Sequence, residues 1–160
     1  MKDVKEAVCA DLAKRLRFAE LSIMHCLDQL PDADVWWRPA EGQNSVGNLV
    51  LHVCGAMRQL VVAGVGGATD DRQRPTEFAE RGPIETGLLK QRVAETVAAS
   101  REVIERAASF DLLATRRRAQ GTSTTVLSDL LTAAYHSSEH AAQIVYITHM
   151  RLGDRYRPAY

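Results

Sequence analysis

Apolar side chains recur at intervals of three and four residues in four stretches of the chain, which is the pattern of amphipathic helices. A proline or glycine follows three of these stretches, and Ser45 or Asn44 offers an N-cap to the second. No stretch alternates with period two for long enough to predict a strand. The pattern predicts an all-α fold, a four-helix bundle with long connecting loops, in a single domain over residues 1–160. The predicted helices cover about residues 3–30, 45–64, 85–109 and 126–152.

The connections between the predicted helices hold three features that need an interpretation. Residues 68–82 are polar and contain a proline, so we expect a long loop over the surface. Trp36 and Trp37 either cap one end of the core or wall a pocket. Arg116, Arg117 and Arg118 form a short charge run, which is typical of a solvated surface but could also bind a phosphate or carboxylate substrate.

Composition narrows the classes of partner. Lys plus Arg and Asp plus Glu number 20 each, so the net charge gives no reason to expect nucleic acid or an anionic membrane. The N-terminus has no apolar segment of signal-peptide length, and no run approaches an uninterrupted membrane span. Three cysteines, Cys9, Cys26 and Cys54, fall inside helical patterns and suit reduced, partly buried thiols. These features predict a cytoplasmic protein.

The candidate chemistry lies in the last helix, where His136 and His140 are four residues apart. Side chains at this spacing lie about 40° apart around a helix, so two imidazoles can hold one metal ion. A divalent ion usually takes at least three protein ligands, and His52, which is mid-helix among apolar neighbours, is the obvious third. Cys54 cannot bind the same ion as His52, because residues two apart on a helix point about 200° apart. The alternative for His136 and His140 is a pair of exposed or separately satisfied side chains. We interpret His25 and His149, which are lone histidines on helices, as packed or surface residues.

Two further polar residues accompany the histidine pair. Glu139 lies about 60° to one side of His136 and could accept a proton, and Gln143, about 20° from His136, could orient a histidine or a substrate. The segment His136 to His140 also matches the H-x-x-E-H motif of inverzincin metalloproteases. Those enzymes are much larger and take a third, acidic ligand far downstream, whereas no glutamate follows His140, so this alternative is disfavoured.

These residues resemble the DinB-like family of small four-helix bundles with a three-histidine metal site. The likeness rests on the segment from Asn44 to His52, on His136 to Ile144 with its H-x-x-x-H pair and following glutamine, and on Trp37-Arg38-Pro39, which is similar to one subgroup. Many members have glycine where this chain has Ala142, a small change that leaves the ligands in place. The resemblance covers most of the chain.

The resemblance implies a divalent ion, zinc or nickel, held by His52, His136 and His140. It also implies a homodimer and, as in characterised relatives, a thiol-transfer, isomerase or hydrolase activity. We therefore expect a metal-dependent enzyme whose ion keeps a position open for water or for a small-molecule substrate such as a low-molecular-weight thiol. The alternative is a non-catalytic, stress-associated, metal-binding dimer in which the ion only ties the second and fourth helices together.

Overall fold

The computed structural model describes residues 3–118 and 121–159, and four long helices form a bundle within them. The first long helix packs against the third and fourth, and the second packs against the same two. The prediction of an all-α four-helix bundle is confirmed. The helices are α1 (Val4–Gln29), α2 (Asp32–Val35), α3 (Val46–Met57), α4 (Arg74–Ala79), α5 (Thr86–Ala107) and α6 (Val126–Leu152).

Helix α3 begins at a reciprocal cap. The Asn48 N–H donates to Ser45 Oγ, and the Ser45 N–H donates to Asn48 Oδ1, both at 3.2 Å. Beyond Met57 the helix continues as a π-helical segment, Arg58–Val65, which ends at Gly66. Helix α6 ends where Gly153 takes a φ of 54°, a conformation that favours glycine. The serine and glycine residues that predicted these helix ends therefore lie at the ends that the structure shows.

The segment Val46–Val65 is the central element of the core. By length and composition alone it could cross a membrane, but 67% of its most apolar window is buried inside the bundle, as in the core helix of a globular fold. Cys9, Cys26 and Cys54 are free and buried, as predicted. Burial raises the pKa of the Cys54 thiol to about 12, so this thiol is protonated and inert at neutral pH.

Two connections differ from their predictions. Residues 110–125 contain an antiparallel hairpin of β1 (Thr115–Arg117) and β2 (Ser123–Thr125), so the prediction of no strand was wrong. Three residues are too few for an alternating pattern to be visible. Residues 68–82 are not simply a surface loop either, because they contain α4, which packs against α3.

The two tryptophans lie at the edge of the core rather than in solvent. Trp36 is half-buried and donates its Nε1–H to the Ile84 carbonyl at 3.3 Å. Its ring packs so closely on Gly47 of α3 that a Cβ there would come within 2.8 Å of it. The Arg151 guanidinium lies over the Trp37 ring at 5.2 Å. These contacts favour the packing interpretation of Trp36 and Trp37.

Candidate metal site

Three histidines from two helices converge inside the bundle. His136 and His140 project from successive turns of α6, and His52 projects from the middle of α3. His136 Nε2 lies 3.1 Å from His52 Nε2 and 3.2 Å from His140 Nε2. One ring nitrogen from each of the three residues lies within 4.8 Å of the other two. The structure thus brings together the three residues that the sequence indicated as metal ligands.

The ring of His52 is held from behind by an ion pair. Its Nδ1 lies 2.9 Å from Glu77 Oε2, and Arg72 donates to both Glu77 oxygens, at 2.7 and 2.9 Å. Arg72 Nη2 is also 3.1 Å from His52 Nδ1, but the carboxylate can only accept. The proton on Nδ1 therefore points to Glu77, and the lone pair of His52 lies on Nε2, facing the other histidines.

The protonation states follow from burial and from these partners. Burial acts to raise the pKa of Glu77, but hydrogen bonds from Arg72 and His52 outweigh it and hold that pKa below its ordinary value. Burial lowers the pKa of His52 despite the hydrogen bond to Glu77. Burial and the two neighbouring histidines lower the pKa of His136 to about 4. At neutral pH the site therefore has a charged Glu77 behind the neutral rings of His52 and His136, and the neutral ring is the form of histidine that binds metal.

Gln143 holds the ring of His140 as Glu77 holds that of His52, with the proton on Nδ1. Its Oε1 lies 2.8 Å from His140 Nδ1, so this nitrogen is the donor and the lone pair of His140 lies on Nε2. Glu139, in contrast, is exposed and accepts a hydrogen bond from Tyr135. The hydrogen bond raises the pKa of the Tyr135 hydroxyl above its ordinary value.

A buried clamp fixes α4, and with it Glu77, against α3. Asn48 donates its Nδ2 to the carbonyls of Glu77 and Glu80, at 2.9 and 3.0 Å. Arg38 donates to Asn48 Oδ1 at 2.7 Å and to the Glu80 carbonyl at 3.3 Å. Gly55 of α3 leaves the room that the ion pair needs, since a Cβ there would overlap Glu77 Oε1.

The donor set fits a divalent ion. His52 and His140 both direct a lone pair at His136 Nε2, which carries at most one proton and cannot satisfy both. The His136 Nδ1 is buried and has no hydrogen-bond partner among the described residues. Nitrogens sharing a tetrahedral zinc with bonds of about 2.0–2.1 Å lie about 3.3–3.4 Å apart, close to the 3.1 and 3.2 Å separations in the site. The three histidines could therefore hold a divalent ion, because a bound cation would resolve the conflict between their lone pairs.

The histidines open onto a cavity of 1320 Å³, which we call the main cavity. Its wall combines apolar side chains with a few polar groups, the usual composition of a small-molecule site. Gln143 lies in this wall, and Glu139 is not among its lining residues. The wall also contains Leu49, Phe78, Tyr146, Ile147 and Met150.

The other histidine and arginine candidates are bound by residues outside the three-histidine cluster. His25 Nε2 is 2.6 Å from the Arg157 carbonyl, and the His149 ring stacks on Tyr156, so both have separate structural partners. Arg118 and Arg116 of the hairpin approach the buried carboxylate of Asp129, at 2.6 and 3.6 Å.

Sequence reasoning missed Arg72 and Glu77. They belong to a polar segment with a proline, where neither burial nor a partner can be read from periodicity. The available signal was Gly55 in the middle of an apolar helix, because an isolated glycine there often marks a close approach by another part of the chain.

Comparison with known proteins supports the fold. A conserved protein from Enterococcus faecalis has the same fold with a TM-score of 0.76 and 18% identity, over 96% of this chain and 99% of that one. A DinB-like protein from Bacillus cereus ATCC 10987 gives a TM-score of 0.67 and 18% identity, over 93% of this chain and 95% of that one. No curated protein matches the chain significantly. The family model described as "Protein of unknown function (DUF1572)" matches residues 4–158, and the chain belongs to this DinB-like family.

Proposed function

We propose that the protein is a metal-dependent enzyme that acts on a small molecule in the main cavity. The observation that carries this proposal is the convergence of three Nε2 atoms, from His52, His136 and His140, at the wall of that cavity. Three protein ligands are typical of catalytic sites, which keep a position open, whereas structural sites are closed by four. A small molecule in the main cavity could reach such a position directly.

A bound divalent ion would supply a Lewis acid and lower the pKa of a water or thiol at the open position. The chain's own residues prepare the site for it. Glu77 and Gln143 fix the proton of His52 and of His140 on Nδ1, which leaves both Nε2 atoms free to bind. We also propose Glu139 as a proton acceptor, although its side chain pairs with Tyr135 and would have to turn towards the cavity.

Zinc or nickel is the proposed ion. Neutral imidazole suits both ions, and the general affinity order for divalent metals puts both towards its upper end.

Metal content is the first test. The protein should be purified without a histidine tag, and its metal measured by plasma mass spectrometry in the native chain and in His52→Ala and His136→Ala. One ion per chain in the native protein and a loss in both variants supports the site, and unchanged content in both variants removes it.

The proposed reaction is thiol transfer, isomerisation or hydrolysis, with a low-molecular-weight thiol as one candidate substrate. The cobalt-substituted protein offers a direct test of the open position, because an added thiol or imidazole changes its visible spectrum only if it reaches the ion. A spectrum that neither ligand changes, together with no turnover in a screen of thiol-transfer, ester and amide substrates, would instead support a non-catalytic metal-binding protein.

We further propose that the protein is a cytoplasmic homodimer. Several large apolar side chains on α1 and α6 are exposed, including Val4, Leu131 and Tyr135, at 75%, 51% and 68% of their surface. A second copy could cover them. Light scattering coupled to gel filtration should give twice the chain mass, and a single-chain mass would contradict the dimer. Leu131→Glu should shift the native mass towards one chain, with Leu88→Glu on α5 as the control.

A further inference from the structure

A second cavity, of 550 Å³, also meets the histidine cluster. His52, His136 and Arg74 line both this cavity and the main one, so the two cavities are adjacent at the candidate metal site. We call the second cavity the arginine cleft because its charged lining is mostly cationic. This lining consists of Arg72, Arg74, Arg116, Arg117 and Arg118, with Asp70 and Asp129.

Two of these arginines already bind carboxylates within the protein. Arg72 binds Glu77 with two hydrogen bonds and donates a third to Gln59 at 2.9 Å. Arg118 donates to Asp129 Oδ1 at 2.7 Å through Nε and approaches the same oxygen at 2.6 Å through Nη2. Their charges are therefore matched within the fold.

Arg116 is not matched in this way. Its Nε is buried and has no hydrogen-bond partner among the residues that the structure describes. The Asp129 Oδ2 atom lies 3.6 Å away, beyond hydrogen-bond length, and Asp129 is already bound by Arg118. A guanidinium stays charged at any physiological pH, and a partly buried charge is costly without a hydrogen-bonded counterion.

Two more arginines add positive charge without an internal carboxylate partner in the described ranges. The Arg74 guanidinium stacks on the Phe78 ring at 5.0 Å, a contact that leaves its N–H groups free to donate at the ring edge. Arg117 donates its Nε–H to the Gly121 carbonyl. The cleft beside the histidines thus has a surplus of guanidinium donors over acceptors.

We propose that the arginine cleft binds an anionic group, a carboxylate or a phosphate, of a small molecule whose reactive end reaches the three histidines. Arg116 and Arg74 would be its principal donors, since a planar guanidinium binds such oxygens with two parallel hydrogen bonds. This inference names a substrate class for the proposed enzyme and rests on that proposed function for the reacting end only.

Calorimetric titration of the metal-free protein with inorganic phosphate and with succinate tests the cleft without metal chemistry. At least one anion should bind, and the tighter of the two identifies the group. Arg116→Gln and Arg74→Gln should each weaken binding about tenfold, the size expected from losing a charge-assisted pair. Arg106→Gln, on the exposed face of α5, is the control and should bind within twofold of the native chain.

The inference is overturned if neither anion binds, or if both variants bind as the native chain does. Arg74 is exposed, so Arg74→Gln keeps the test valid even if Arg116→Gln does not fold. Metal content measured on the same chains as purified, before the metal is removed for titration, separates the two proposals. Normal metal without anion binding removes only the cleft, and anion binding without metal leaves the cleft as an anion site and removes the enzyme.

Discussion

Glu77 Oε2 and His52 Nδ1 are joined by a hydrogen bond of 2.9 Å, between residues that are 25 positions apart in the chain. Both side chains are buried, and Arg72 completes the contact by pairing with the carboxylate. A short helix in a connection therefore decides which nitrogen of a metal-ligand candidate is available. Replacing a residue that holds a ligating histidine in this way typically lowers metal affinity or activity by about 10–100-fold.

Removing the charge of Glu77 should weaken metal binding. In Glu77→Gln the amide can still accept from His52, but Arg72 loses its counterion and the pair no longer fixes the ring as firmly. We expect metal affinity to fall about tenfold to a hundredfold, measured by competition with a chromophoric chelator. Glu102→Gln, an exposed residue on α5, should leave affinity unchanged. Equal affinity of Glu77→Gln and the native chain would contradict the role of this contact.

Gly55→Ala should destabilise the protein, although alanine is the better helix former by about 1 kcal/mol. The new Cβ would overlap Glu77 Oε1 and lie 3.0 Å from Arg72 Nε. We expect a loss of about 1–3 kcal/mol in the free energy of unfolding, measured by urea denaturation. Gly87→Ala is the matched control, because a Cβ there meets nothing within 4 Å. A Gly55→Ala chain that is as stable as Gly87→Ala would show that the ion pair moves at little cost.

The stability of the metal-free protein should fall as the pH falls from about 6.5 towards 4. Burial lowers the pKa of His136 to about 4 from its ordinary 6.5. Between these values the unfolded chain binds a proton that the folded chain does not, so acidification favours unfolding. Burial lowers the pKa of His52 as well, which adds to the effect in the same direction. Urea denaturation at a series of pH values measures it.

The control for this pH dependence is His136→Gln, which cannot titrate. The slope of stability against pH should be shallower in this variant over the same range. Glu77 contributes separately and at lower pH, because its folded pKa lies below its ordinary 4.5 and its stabilisation is lost as the pH falls through that folded value. A native chain with a flat profile between pH 6.5 and 4 would contradict the burial of neutral histidines.

Asp129→Asn should loosen the hairpin from α6. The carboxylate is buried and is the shared partner of Arg118 and Arg116. Losing hydrogen bonds to a charged group costs about 1.5–3 kcal/mol, and we expect a decrease of that size in the free energy of unfolding. Hydrogen exchange should be faster in β1 and β2. Asp11→Asn, whose carboxylate pairs with Arg15 on the exposed face of α1, should change stability by less than about 0.5 kcal/mol.

The helices and the histidine pair were predictable because their signals are local. A repeat of three and four residues marks each helix, and His136 and His140 share a face by their spacing alone. His52 needed a second argument, its position among apolar neighbours together with the family resemblance. Its placement 3.1 Å from His136 depends on how α3 packs on α6, which no local pattern states.

The rest was not predictable because it depends on contacts between distant segments. Glu77 and Arg72 are ordinary charged residues in a polar connection, and only the folding of α4 onto α3 buries them. The adjacent residues Arg116, Arg117 and Arg118 look alike in sequence, yet Arg118 hydrogen-bonds to Asp129, whereas the Nε of Arg116 lies 3.6 Å from the same carboxylate and has no hydrogen-bond partner among the described residues.

The candidate ligands His52 and His136 are separated by 84 positions in the chain, although their rings touch. An ion shared by them would act as a reversible cross-link that closes a long loop and exists only in the native topology. Occupancy would then raise the melting temperature in proportion to the logarithm of free metal concentration once that exceeds the dissociation constant. The thermal stability of the chain would in this way become a readout of the metal supply around it.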